Sequence, residues 1–228
     1  MICQSVTPQG VASTDGYDRM EDAREEIHRS GHRAFVGGND QYWDQIGALQ
    51  FEFLVRHGLS PADTLVDVAC GSLRGGCRFI EYLEPGHYLG IDKYIELIIY
   101  GVASELGVDE FATKRPCFVV SDTFEFEKFD KKPTFAIAQS LFTHLADADL
   151  KLCLAKLRNI AAPKCKFFAT FFEVDRPTAN PAATNSHLRF AYTRSQLEEF
   201  GIACGWVPRY IGEWNHPRNQ KMMTFCME

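Results

Sequence analysis

The stretch that most constrains this chain is Thr64–Gly76, TLVDVACGSLRGG. Leu65, Val66 and Val68 make a short apolar run that carries one acid, Asp67. The run breaks into Cys70-Gly71-Ser72 and closes on a second glycine pair, Gly75-Gly76. Such a pattern reads as a buried strand entering a tight turn and then a helix, here continuing over Cys77–Leu83. The glycines admit positive φ and let a ligand approach the backbone closely. An acid at the strand end can face a ligand's cationic or donor groups, or orient the turn's own N–H groups.

The turn alone is not specific, because nicotinamide enzymes and P-loop proteins use the same device. No Gly-Lys-Ser/Thr follows it, which excludes a Walker loop. The spacing is GxxxG, Gly71 to Gly75, and lacks the GxGxxG of nicotinamide sites. The rest of the chain must decide.

At 228 residues, the chain suits one α/β domain with a small appendage. A net charge of −6 without a basic run argues against a large nucleic-acid surface. Eight cysteines are scattered with no CxxC pair, as expected of free thiols in a reducing cytoplasm. No stretch is apolar and long enough to span a membrane, and the N-terminus has no signal-peptide core. A soluble cytoplasmic protein is the expectation, monomeric or a homodimer.

Met1–Thr14 reads as unstructured. Tyr17–Arg29 is charged and helix-compatible with little apolar face: a solvated helix, or a lid over a ligand. Residues 1–34 are thus an extension, and residues 35–228 the domain. Phe35–Gly38 is a turn. Asp40 can cap a helix whose Trp43, Ile46, Leu49, Phe53 and Leu54 recur at helical spacing and form one buried stripe, ended by Gly58. Further strands are expected at HYLGID, ending on Asp92, at Pro116–Val120, at Thr134–Ala138 and at Lys164–Val174. Between them lie helical stretches, KYIELIIYGVASEL and Ala148–Ile160. Thr193–Gly205 reads as a last helix with a Thr193/Gln196 capping box. Trp206–Trp214 and Lys221–Met227 read as an antiparallel pair.

Three segments occur in order: DVACG, then Asp92 at the end of the second strand, then Gln139-Ser140-Leu141-Phe142-Thr143-His144-Leu145 after the fourth. On them the chain, from about Phe35 to Phe225, resembles the class I S-adenosylmethionine (SAM) methyltransferases of the small-molecule type. Ala69 departs from that family, which usually has glycine there. The resemblance implies an α/β, Rossmann-like fold: a seven-stranded, mostly parallel sheet with helices on both faces and a C-terminal antiparallel hairpin. It implies SAM as cofactor and S-adenosylhomocysteine (SAH) as product. Cofactor contacts would come from Asp67, Ala69, Cys70, Gly71, Leu73, Arg74 and Gly75 in the turn. Asp92 would take the ribose diol, since a carboxylate accepts two hydroxyls, although it could equally cap the following helix. Lys93 lies beside it. Asp122 and Thr123, with Phe124 nearby, would lie at the adenine, unless Asp122 only caps the next turn. Gln139, Ser140 and Leu141 would face the sulfonium. Trp43 could touch the cofactor's edge, with core packing as the competing role.

Methyl transfer is an in-line displacement that needs alignment at about 3 Å and sometimes a base. His144 is the candidate base, because an imidazole can take a proton from a hydroxyl, amine or acidic carbon near neutral pH. It could instead only bond backbone in its turn. Tyr17, Glu173, Tyr192, Trp214 and His216 are further substrate-side candidates, with His144, and the loop Asp175–Arg189 is where the family places substrate contacts. No metal-spaced histidine set and no magnesium-holding acidic pair is found. The expectation is methyl transfer to O, N or an activated C of a small-molecule acceptor, without nucleic acid or membrane partners. A protein or peptide methyltransferase and a catalytically inactive SAM-binding partner subunit are the alternatives.

Overall fold

The computed structural model describes residues 20–37 and 40–227. The Met1–Thr14 expectation and Tyr17 lie outside the described residues, as does the Asp40 side chain. Helix α1 spans Met20–Ser30, the single turn α2 His32–Phe35, and α3 Asp40–Arg56. Strand β1 is Leu65–Val68, followed by α4 Gly76–Tyr82 and β2 Tyr88–Asp92. Next come α5 Ile95–Tyr100, α6 Val108–Lys114, β3 Cys117–Val120 and β4 Phe135–Ala138. The chain continues as α7 Asp147–Ile160, β5 Lys166–Glu173, β6 Ala191–Tyr192, α8 Arg194–Ala203, β7 Val207–Gly212 and β8 Lys221–Cys226.

Seven strands lie in the order β3-β2-β1-β4-β5-β8-β7, and β6 adds a two-residue strand beside β5. Pairing is parallel from β3 through β5, and β8 runs antiparallel to both its neighbours. This is the expected Rossmann-like sheet with a C-terminal hairpin, plus the short β6. Connections leave β1 towards β2 on one side, while β4 returns on the other. The crevice at the carboxyl ends of β1 and β4 is therefore the topological switch point, where open α/β sheets bind ligands.

Strand alternation sorts the core into two layers. Val66 and Val68 face Leu150, Cys153, Leu154 and Leu157 of α7. Leu65 faces Phe53 and Leu54 of α3 and Phe79 and Ile80 of α4. Asp67 shares Leu65's side, between Gly90 of β2 and Ile137 of β4. The capping box at Thr193 forms as its sequence implies: Thr193 Oγ1 accepts from Gln196 N at 3.1 Å, and Gln196 Oε1 accepts from Thr193 N at 3.0 Å.

Two expectations about the N-terminal half change. Helix α1 is not merely solvated: Ala23 and Ile27 are buried against Tyr94 and Leu97, and Arg24 pairs with Glu96 at 2.6 Å. Two apolar residues, Ala23 and Ile27, suffice for this contact, which is why the polar sequence hides it. The helix expected over KYIELIIYGVASEL widens to π-helical geometry at Gly101–Leu106. Gly101 passes so close to the β1 turn that a Cβ there would lie 2.7 Å from Leu73 Cγ and 2.8 Å from the Ser72 carbonyl carbon. No helix among the described residues is long and apolar enough to cross a membrane.

Candidate active site

A cavity of about 420 Å³ opens at the carboxyl ends of β1, β2 and β4. Its floor is the turn after β1. Ala69, Gly71 and Leu73 there all have left-handed backbone, with φ of 61°, 55° and 64°. A non-glycine residue in that region costs about 1 kcal/mol, so alanine is tolerated where glycine would be unstrained. The turn holds its shape through Cys70 N donating to Ile91 O at 3.1 Å and Gly71 N donating to Asp92 Oδ2 at 2.8 Å.

Asp92 is thus held by backbone: its Oδ1 accepts from Tyr94 N at 2.9 Å, and the Lys93 N–H bonds it as well. A carboxylate offers about four acceptor positions, so it retains capacity for a ligand hydroxyl. Burial raises its pKa, opposed by those N–H bonds. Asp67 is buried too and accepts from Tyr88 Oη at 2.7 Å. Burial pushes its pKa up to about 7. At the β3 end, Ser121, Asp122 and Phe124 line the cavity. Ser121 Oγ accepts from the Thr123 and Glu125 N–H groups, each at 3.2 Å, so Ser121 shapes this corner.

Beyond β4, Gln139, Ser140, Leu141 and His144 face the cavity. Ser140 is left-handed, φ 59°, and its N–H donates to Thr170 Oγ1 at 2.7 Å. Strained residues therefore follow both β1 and β4, on either side of the switch point. His144 Nδ1 sits 2.9 Å from Leu188 O. A carbonyl only accepts, so the ring proton is on Nδ1 and Nε2 keeps its lone pair. Burial holds the His144 pKa below 6.5, which leaves the ring neutral and basic at pH 7.

The loop after β5 is fastened over this segment. Asn185 N donates to His144 O at 3.1 Å, Phe190 N to Thr143 O at 2.8 Å, and Thr184 Oγ1 accepts from Ala146 N at 2.9 Å. Thr184, Ser186 and His187 thereby reach the cavity, within the loop the sequence assigned to substrate contacts.

Most of the sequence candidates come together here: Asp67, Ala69, Cys70, Gly71, Arg74, Gly75, Asp92, Lys93, Asp122, Gln139, Ser140, Leu141 and His144 all line the cavity. Others sit elsewhere. Leu73 is wholly buried in the layer beneath the turn. Thr123 points to solvent. Trp43 is buried under Arg33, whose guanidinium lies 5.1 Å from its ring. Tyr192 is in the core, donating to Leu145 O at 2.6 Å. Glu173 accepts from Tyr210 Oη at 2.6 Å. Trp214 donates to Gln220 O at 2.8 Å and stacks on His216. His216 is buried behind Gln139, 3.0 Å from its amide.

Sequence reading missed the opposite wall: Phe35, Val36 and Gly37 at the end of α2, Tyr94, Gln50 of α3, and Arg218 of the β7–β8 connection. Gln50 had a signal available, a polar residue at a buried helical position. Its amide covers Gly75, where a Cβ would fall 2.7 Å from Oε1. Arg218 had none, since NHPRNQ reads only as a turn.

No protein-family model matches the sequence, and no curated protein matches it either. Solved structures do. Magnesium protoporphyrin IX methyltransferase (ChlM) from Synechocystis, with bound SAM, superposes with a TM-score of 0.66 at 13% identity, over 95% of this chain and 100% of that one. SAM-bound CalS10, an amino pentose methyltransferase from Micromonospora echinaspora, gives 0.62 at 12% identity, over 89% and 97%. DesVI from Streptomyces venezuelae gives 0.62 at 14%, over 88% and 98%. The chain has the fold of the class I SAM-dependent methyltransferases.

Proposed function

We propose that this chain is a SAM-dependent methyltransferase acting on O, N or an activated C of a small-molecule acceptor. The observation that carries this reading is the cavity itself. It sits at the switch point of a fold shared with SAM-bound methyltransferases, and a backbone turn, a ribose-competent acid and a neutral imidazole converge on it. The fit to an adenosyl cofactor rests on geometry. The left-handed Gly71 leaves room where a Cβ would crowd Val36, and Asp92 keeps acceptor capacity for a ribose hydroxyl.

When bound, SAM supplies an activated methyl and a neutral sulfide as leaving group. The protein's own residues then have three tasks. Asp92 and the β1 turn orient the nucleoside end. Leu141, Tyr94 and Phe35 exclude water around the methyl. His144 Nε2 accepts the acceptor's proton while Leu188 O holds the ring by Nδ1–H. A small acceptor is favoured over a peptide because the loop over residues 184–190 is hydrogen-bonded down onto 143–146, which narrows the site to a pocket.

The test is incubation with methyl-labelled SAM and a panel of phenols, amines, β-dicarbonyl compounds and peptides. Label transfer to a panel member supports the reading. Label transferred only to peptides would favour the peptide alternative. SAH binding without any transfer would favour an inactive partner subunit.

A further inference from the structure

Basic and aromatic side chains surround the end of the cavity that His144 Nε2 faces. Lys93, Tyr94, Phe35 and His187 line it together with His144. Lys93 Nζ lies 4.8 Å from the centre of the Tyr94 ring. Tyr94 Oη reaches Ser186 Oγ at 3.3 Å, next to His187 in the chain. Asn185 Oδ1 accepts from the His187 and Leu188 N–H groups at 2.9 and 3.0 Å, and so shapes the loop tip that carries His187. Phe35 meets the Tyr94 and His187 rings edge-on. Such rings suit a flat aromatic acceptor, which can pack edge or face against them.

The charges at this end are of one sign. Among the described residues, the carboxylates on the cavity wall are Asp67, Asp92 and Asp122, on or just after β1, β2 and β3. The β4 turn, the loop after β5 and the end of α2 bring none. Asp92 lies beside Lys93, but its oxygens turn to the Gly71 and Tyr94 N–H groups. After burial, the proximity of His187 and of Lys93 holds the His144 pKa down, because both repel a positive imidazole. An acceptor within reach of Nε2 enters the same field.

That field sorts acceptors by the charge they take on. A phenol gives its O–H proton to His144 Nε2. An oxygen lone pair forms the new O–CH₃ bond, and the C–S bonding pair stays on sulfur, leaving a neutral sulfide. The acceptor passes through negative charge and ends neutral. An amine ends as a methylammonium cation beside Lys93 until it loses a proton, and like charges oppose that. Acidity sorts acceptors further. A phenol ionises near pH 10 and water near 15.7, so transfer to an imidazole below 6.5 is unfavourable by about 10³–10⁴ for a phenol and about 10⁹ for a water-like aliphatic hydroxyl. A carboxylate acceptor would leave the base idle.

We propose that the acceptor is a phenol methylated on oxygen, and that Lys93, supported by His187, selects it over amines. This assignment rests on the SAM reading above and narrows its acceptor class. Lys93 and His187 are then specificity-determining residues, with the proton transfer left to His144.

The experiment takes two readouts on the full chain. With methyl-labelled SAM, phenols are set against ring-matched anilines and benzylamines and against β-dicarbonyl compounds. Phenols should be labelled at least about tenfold faster. In the SAH-saturated protein, 4-nitrophenol is titrated by its visible phenolate absorbance. Wild type should bind the phenolate about tenfold more tightly than the phenol, the scale of one charge-assisted contact, so that half-ionisation moves down by about one pH unit. Lys93→Gln should remove most of that displacement and His187→Gln a smaller part. Faster labelling of amines or β-dicarbonyl compounds, or no label on any of them, would overturn the assignment. So would a 4-nitrophenol that does not bind, an ionisation that does not move, or variants that match wild type in both readouts. Protein that binds no SAH fails the SAM reading itself, whereas protein that binds SAH and labels only amines fails the phenol assignment alone.

Discussion

The two walls of the cavity are built differently. The inner wall is the tips of β1, β2 and β4, where backbone does the holding: Gly71 and Tyr94 N–H groups on Asp92, and Ser140 N–H on Thr170. The outer wall is assembled from the end of α2, the loop after β5, and the hairpin. Backbone bonds fasten its loop to residues 143–144, but its segments meet one another through side chains: Phe35 packs edge-on to Tyr94 at 5.4 Å and to His187 at 5.8 Å, and Tyr94 Oη meets Ser186 Oγ at 3.3 Å. No residue of α2 is buried. The ends of interior strands fix what every ligand of the site must share, while irregular segments can vary around them. Cofactor recognition should then be inseparable from folding on the inner wall, and acceptor recognition separable from it on the outer.

The sharpest break in that contrast is His144, which belongs to the β4 loop but is clamped by the outer loop. Replacement by glutamine should lower turnover by about 10²–10⁴, the range of general-base catalysis, while SAH affinity stays within twofold by calorimetric titration. A wild-type rate that falls only as pH drops below 6.5 should accompany this, because the lowered pKa keeps the ring unprotonated down to that point. Unaltered turnover would remove His144 as the base.

Asp92→Ala comes next in size. Losing a charge-assisted contact should weaken SAM binding by about 1.5–3 kcal/mol. Because the Gly71 and Tyr94 N–H groups also lose their partner, the melting temperature should fall with it. Weaker binding without loss of stability would contradict the inner-wall picture. Phe35→Ala should act the other way. Losing its aromatic contacts, worth about 1 kcal/mol, should raise the acceptor KM and lower the melting temperature by only a few degrees. A drop as large as that of Asp92→Ala would make the outer wall part of the core. Smallest of all is Ala69→Gly. Relief of about 1 kcal/mol of left-handed strain is largely offset by glycine's extra freedom when unfolded, so urea unfolding should shift by under about 0.5 kcal/mol. A clear destabilisation would show that the Ala69 methyl packs.

The same contrast explains what could be read from the sequence. Inner-wall residues follow strands whose continuous apolar runs announce them, so Asp67, Gly71, Asp92, Gln139 and His144 were placed by counting from strand ends. Aromatics near strand ends were harder, because the same residue serves a pocket or a core according to the face it packs on. Tyr192 and Trp214 turned inward and Tyr94 did not: its ring caps α1 while its hydroxyl reaches Ser186. Arg218 and Phe35 lie far from the β1 turn in sequence, and only tertiary folding brings them beside it. The π-helical stretch was invisible because its residues keep an ordinary helical pattern; it starts at Gly101, beside Leu73, a proximity no local pattern encodes.

The most direct test of the central claim is calorimetric titration of the purified chain with SAM, SAH and, separately, NAD. Micromolar binding of both adenosyl sulfur ligands with none of NAD is the predicted result. Binding of NAD, or of neither adenosyl ligand, would contradict the reading of this cavity as a methyl-donor site.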